Sequence, residues 1–287
     1  MDATMDKARA SVSWLGLAAL LMAAVQPAHA QAPRRIASFN LCADQLVVAL
    51  ADPGQVIGLS PYASDPKISV VADKAQAFAR LPLQAETLVP YQPDLVLVGT
   101  WDRPLTQRLL RSLGFRVVGL DTVSDLAAAR AQIREIAALL GHPQRGEALI
   151  AEIDAAQRRL KAAPRPASSS ALLIGNAGYT VGPDSLASAL MAEAGLTPPR
   201  GAPTGYGGYV PLEKLLELRP DYLVMASLME QPDGQGALYL THPALRELYP
   251  PPRRIVLPSR FTLCAGPSLI GAFDYLTGVV TRLAAGR

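Results

Sequence analysis

Leu83-Gln84-Ala85-Glu86-Thr87-Leu88, followed by Pro93-Asp94-Leu95-Val96-Leu97-Val98, has a counterpart later in the chain. There the sequence reads Val210-Pro211-Leu212-Glu213-Lys214-Leu215, then Pro220-Asp221-Tyr222-Leu223-Val224-Met225. The two glutamates and the two Pro-Asp pairs are each separated by the same 127 residues. Proline fixes φ and cannot continue a helix, so Pro93 and Pro220 each divide a helical turn from the apolar run that follows. Those runs are near-continuous rather than alternating, as expected of strands buried on both faces of a parallel sheet. One helix-turn-strand unit, used twice, predicts two similar α/β lobes. A cleft between two such lobes is a common place for a ligand.

Outward from the first copy, Arg35–Phe39 reads as a strand, 43–50 as a helix, and Val56–Ser60 as a second strand. Beyond it come a helix over 106–113, ended by Gly114, and a strand over 116–120. The region 125–160 has helical apolar spacing without strands: Leu126, Ile133, Ile136 and Leu140, then Leu149, Ile153, Ala156 and Leu160 after Gly141-His142-Pro143. It predicts a rigid helical strut. The second half repeats the theme, with strands over 171–175, 223–226 and 254–257 and helices over 185–194, 243–248 and 268–284. A glycine- and tyrosine-rich loop lies between. The expected fold is α/β: two Rossmann-like lobes with parallel-rich sheets, joined by one long rigid helix, with the ligand cleft between the lobes.

Residues 1–30 have the form of a secretory signal: Lys7 and Arg9, an apolar run from Val12 to Val25, and Ala28-His29-Ala30 before a cut at Gln31. The run is shorter than the ~20 residues that span a bilayer. No cysteine stands at the cut, so the expectation is a soluble, exported protein rather than a lipid-anchored one. The expected divisions are 31–122 for the first lobe, 123–164 for the linking helical region and 165–287 for the second lobe. Charge is sparse, 27 Lys and Arg against 24 Asp and Glu, without a basic block, so nucleic acid is not an expected partner. No nucleophile elbow, phosphate-binding glycine loop or His-Glu-x-x-His motif is present, and no catalytic residue is assigned.

Phe39-Asn40-Leu41-Cys42-Ala43 and Phe261-Thr262-Leu263-Cys264-Ala265 resemble one another, and both follow a strand. Cys42 and Cys264 are therefore each expected on the cleft side of their lobe. Three states are open: a disulfide tethering the lobes, two buried thiols, or thiolate contact with a metal centre.

The order and spacing of these features resemble the periplasmic binding proteins for iron-siderophores, haem and vitamin B12. The markers are Arg35-Ile36-Ala37-Ser38-Phe39-Asn40, the Glu86 unit and its copy, Leu139-Leu140-Gly141 before a long helix, and Thr241-His242-Pro243-Ala244-Leu245. The resemblance implies a monomeric carrier that holds a bulky metal chelate between its lobes. It would deliver that chelate to an ABC importer and carry no cofactor of its own, the metal arriving inside the chelate. It also implies that Glu86 and Glu213 dock on arginines of the importer. Ligand-contact candidates are Asn40, Tyr62, Arg80 and Trp101 in the first lobe, and Tyr179, Tyr206, Tyr209 and Arg260 in the second. Arg80 lies six residues before Glu86, the spacing of a ligand-binding arginine in hydroxamate-siderophore receptors. Tyr62 is similar to an aromatic loop position of vitamin B12 receptors. Trp101 is displaced by two residues from the tryptophan those receptors carry. Arg80 and Arg260 favour an anionic chelate, and the tyrosines suit a corrinoid equally. With only His142 and His242 after the signal, a bare metal ion is a poorer expectation. Alternatives are a periplasmic metallochaperone or sensor using Cys42 and Cys264, or an enzyme on this fold.

Overall fold

The computed structural model describes residues 32–166, 169–226 and 237–286; the expected signal over 1–30 lies outside them. The first lobe runs β1 (Ile36–Ser38), α1 (Leu41–Leu50), β2 (Val56–Gly58), α2 (Ala72–Ala75), β3 (Leu95–Gly99), α3 (Pro104–Ser112) and β4 (Val117–Leu120). Its strands form one all-parallel sheet in the order β2-β1-β3-β4. Two helices follow, α4 (Leu126–Leu139) and the 20-residue α5 (Pro143–Ala162). The second lobe contains β5 (Ser169–Leu173), β6 (Tyr179–Val181), α6 (Leu186–Glu193), β7 (Leu196–Thr197), β8 (Gly207–Tyr209), α7 (Leu212–Leu218), β9 (Tyr222–Ala226), α8 (Ala237–Thr241), α9 (Pro243–Leu248) and β10 (Arg254–Leu257), before the closing helix α10 (Ser268–Ala284). Its parallel sheet has the order β10-β9-β5-β7. Setting aside the β6–β8 ribbon, each lobe's four strands follow the same spatial order, second-first-third-fourth.

The repeat has a structural cause. A 3-10 helix over Ala85–Tyr91 corresponds to α7, and β3 corresponds to β9, all at the 127-residue offset. Pro90 lies inside the first of these helices and lacks the N–H an α-helix needs there, which accounts for the tighter turn. Gln92 and Arg219, each just before the proline, are both left-handed (φ 44° and 43°), and their amides bond back to the carbonyls of Leu88 and Leu215. The aspartates then fasten the neighbouring strand. Asp94 accepts the N–H groups of Arg34 and Arg35 at 2.7 and 3.0 Å; Asp221 accepts the N–H and hydroxyl of Ser170 at 2.7 and 2.8 Å. The Ser170 N–H, and then its hydroxyl, hold the Asp221 carboxyl below the usual carboxylate range. In each copy the proline stops a helix and the aspartate pins the start of the central strand.

Alternation along these strands sorts their side chains between two layers. Leu95 and Leu97 of β3, with Val224 of β9, enter one continuous core. That core also takes Leu46 from α1, Ile133 from α4, Ile153 from α5 and Phe273 from α10. Val96 and Val98, and likewise Leu223 and Met225, face two separate outer clusters. The lobes therefore share a core through the helices between them. α10 packs along α5, where Arg159 meets Asp274 at 2.7 Å. At the other end of α5, Arg145 donates to the Leu50 carbonyl and reaches Asp52. The connection is thus a small helical body, with α5 braced by α4 and α10, rather than an isolated rod.

One region departs from the expected loop. Residues 179–181 and 207–209 form an antiparallel ribbon that pairs Tyr179 with Tyr209. Two of its six residues are Gly207 and Gly208, which carry little strand propensity, so no alternation signals it in the sequence. Gly207 is there for close approach: a Cβ on it would stand 2.1 Å from the Thr180 carbonyl oxygen.

Candidate functional site

Both parallel sheets present the carboxyl ends of their strands to the space between the lobes, where α/β folds gather ligand contacts. Gly99 and Leu120, ending β3 and β4, line a cavity of about 840 Å³ together with Leu173 and Ala226, ending β5 and β9. Trp101 projects from one side of it, Tyr179 and Tyr206 from the other.

The Trp101 loop is held firmly. Buried Gln107 on α3 donates to the carbonyls of Gly99, Thr100 and Asp102 at 2.9, 3.2 and 2.6 Å. Gly99 admits the loop because a Cβ there would lie 2.4 Å from an Asp102 oxygen. Trp101 is left 83 % exposed on a fixed support, and Tyr206 is 84 % exposed opposite. Wide rings that are already oriented lose little entropy on meeting a guest. Sequence reasoning passed over Gln107, whose role depends on a turn that no local pattern encodes.

Asn40 lines the cavity, but its side chain is largely committed. Its Oδ1 caps α1 by accepting the Cys42 and Ala43 N–H groups, and its amide donates to Asp102 at 2.7 Å. Cys42 and Cys264 are joined as a disulfide across 222 residues, linking the start of α1 to the segment before α10, and both line the cavity. Tyr62 lines a smaller adjoining hollow of about 400 Å³ with Asp102 and Arg103, and its hydroxyl accepts from Arg103 at 3.4 Å.

Three expected contacts stand outside the cavity lining. Arg80 donates to the Ser64 hydroxyl at 3.2 Å, its backbone paired with Leu59. Arg260 reaches the Pro66 carbonyl of the other lobe at 3.4 Å and lies over the Phe261 ring. Tyr209 meets Tyr179 edge-on at 5.4 Å across the ribbon and supports it. The pairing register of that ribbon and the local turns at Arg80 and Arg260 decide these positions, and spacing in sequence carries neither. The two histidines open helices instead: His142 precedes α5 and bonds Gln55, and His242 accepts the Ala244 N–H at the start of α9. Among the described residues, no group of three or more His, Cys, Asp or Glu side chains is arranged to hold a metal ion. Glu86 and Glu213 are exposed in the first turns of their matched helices.

Beneath the cleft wall, Asp44 of α1 is fully buried and accepts the N–H of Ser60 at 3.1 Å and the Ser60 hydroxyl. Burial pushes its carboxyl from 3.8 up to about 6, opposed by the hydrogen bonds from Ser38 and Ser60. Between these two values the folded state binds more protons than the unfolded chain, so this group's contribution to stability falls as pH rises through that window. A shift of this size corresponds to at most about 3 kcal/mol. Asp44→Asn removes the charge but accepts only part of what Ser60 offers, so a net gain of about 1 kcal/mol, or roughly 2–4 °C in melting temperature, is expected at pH 7.5. Melting curves in a pH series should show that gain vanish by pH 4; an equal gain at both pH values would contradict the assignment.

The chain thus has two lobes of one topology, a braced helical connection and a cavity between the lobes. The family model described as "Periplasmic binding protein" matches residues 36–248, and the chain belongs to that family. No curated protein matches it at the sequence level. Among solved structures it is similar to a periplasmic haem-binding protein from Pseudomonas aeruginosa, at TM-score 0.69 and 24 % identity over 87 % of this chain and 93 % of that one. The periplasmic haem-binding protein RhuT from Roseiflexus sp. RS-1 gives 0.69 and 24 % over 88 % and 99 %. The periplasmic vitamin B12 binding protein of Vibrio cholerae gives 0.64 and 14 % over 89 % and 99 %.

Proposed function

We propose that this protein captures a bulky metal chelate in the periplasm, in one-to-one stoichiometry, and delivers it to an ABC importer. Its candidate guests are ferric siderophores, corrinoids and haem. The observation that carries this reading is the interlobe cavity of about 840 Å³ with three aromatic side chains on its walls. Its size falls within the ~300–1,000 Å³ of sites that enclose molecules of several tens of atoms. A naked ion would need converging ligands instead. Haem and vitamin B12 are what the similar structures are described as binding, which supports a planar macrocycle among the candidates. No helix of the described residues is long and apolar enough to cross a membrane, in keeping with a soluble carrier released from its export signal. A metallochaperone or sensor acting through Cys42 and Cys264 is less well supported, because each sulfur is bonded to the other.

Trp101 is the only tryptophan beyond residue 30, so its fluorescence reports directly on the cleft. Titration with haemin, cyanocobalamin and a ferric hydroxamate should give saturable one-to-one quenching by at least one of them, with the ligand recovered unchanged. Turnover of the ligand would favour an enzyme, and no saturation by any of the three would remove the carrier reading. Trp101→Ala and Tyr206→Ala should each weaken the bound chelate by about tenfold, or 1.4 kcal/mol, in calorimetry. Both side chains are more than 80 % exposed, so the melting temperature should stay put. Unchanged affinity in both variants would place the guest elsewhere.

A further inference from the structure

We infer that the cleft is built for a neutral or cationic chelate with hydrogen-bond donors on its surface, and that it discriminates against anionic ones. This rests on the carrier reading above and goes beyond it by fixing the guest's charge. The chain as a whole carries a formal charge of +3, yet its cleft is lined by Asp102, Asp121 and Asp184. Among the described residues of that lining there is no Lys, Arg or His. The cavity itself marks the site; the carboxylates set its sign.

The three stand on both walls, Asp102 and Asp121 just past β3 and β4, and Asp184 just ahead of α6. One oxygen of Asp102 accepts from Asn40, and one oxygen of Asp121 accepts from the Thr100 hydroxyl at 2.6 Å. Each is thereby oriented with its other oxygen unspent. The Asp184 carboxylate has no partner among the described residues and is exposed to the cavity. An anionic guest would have to bring its charge against all three, where field lines are concentrated between low-dielectric walls. A guest bearing amide N–H groups or a positive charge meets ready acceptors.

Arg80 and Arg260, which would receive an anion, are engaged with Ser64 and Pro66 outside the lining. Arg103 lines only the smaller hollow, beside Asp102, and is bonded to Tyr62. The helix starts of α1 and α6 face the cleft and would favour anions. However, Asn40 takes two N–H groups of α1, and Ser185 accepts the Ser188 N–H of α6. The ring faces of Trp101, Tyr179 and Tyr206 add attraction for a cation rather than an anion.

The test uses pairs of probes that share a scaffold and differ in charge. They are haemin dimethyl ester against haemin, cyanocobalamin against its monocarboxylic acid, and ferrioxamine B against its N-succinyl derivative. In whichever pair binds, the less negative member should bind at least about tenfold tighter at low salt, with the ratio shrinking as salt screens it. Asp121→Asn with Asp184→Asn should bring that ratio to within about threefold. Asp184→Asn alone, at an exposed and unpartnered side chain, should move it in the same direction without touching the fold. Equal or tighter binding of the more anionic member, or a ratio unaffected by the substitutions, overturns the inference and leaves the carrier reading standing. Failure of every probe to bind overturns both.

Discussion

Replacing both cysteines, Cys42→Ser with Cys264→Ser, should lower the melting temperature by roughly 4–16 °C, from a loss of about 2–4 kcal/mol. The bond spans 222 residues of sequence, so its removal frees nearly the whole folded chain in the unfolded state. Little should change in the folded state. The lobes already share one core running through α4, α5 and α10, and Arg260 still reaches Pro66 across the gap. Serine is no larger than cysteine, so it crowds neither the half-buried Cys42 site nor the buried Cys264 site. Calorimetry of oxidised protein, reduced protein and the double variant checks this, and the last two should melt together. A reduced form that melts with the oxidised one would mean that the bridge does not form in solution.

The Pro-Asp repeat was legible because the helix-stopping half of its function is local. A proline ends a helix at its own position, so its place in the sequence marks the boundary, whereas the aspartate's partners on the adjacent strand lie 51 to 60 residues away and were not legible. The parallel sheets were legible for a related reason, since burial on both faces leaves an unbroken apolar run. Directions of loop side chains were not. Trp101 lines the cavity because Gln107, six residues on, folds the loop back, while Arg80 at a suggestive spacing from Glu86 turns toward Ser64. The ribbon bearing Tyr179 and Tyr209 was hidden by its glycines; the two tyrosines are cross-strand partners on one face, and only Tyr179 reaches the cavity lining. The acidic character of the cleft was likewise invisible. Asp102, Asp121 and Asp184 are scattered among 24 acidic residues, and only the fold gathers them.

Reversing both matched glutamates, Glu86→Lys with Glu213→Lys, should reduce importer-dependent uptake to the level seen without this protein, leaving chelate affinity unchanged. Both residues occupy the same position of the repeated unit, in the first turn of helices that share the 127-residue offset. Both are exposed, and neither forms an ion pair among the described residues. The shared core holds the two lobes as one body, so the carboxylates keep a fixed separation. Two charges so placed can set register and orientation on a partner while remaining hydrated. Their only evident internal benefit is the favourable position at a helix start, about 0.3–1 kcal/mol each. Reversal therefore costs the fold a few degrees at most, and a normal melting curve should accompany the lost uptake. Glu217→Lys provides the control on the same short helix: its carboxylate pairs with Lys214 at 3.0 Å, and its reversal should leave uptake intact. Each single reversal should give partial loss, because one remaining contact still tethers one lobe. Uptake unchanged in the double variant would remove the docking role, and equal loss in the Glu217 control would reduce it to a general effect of surface charge.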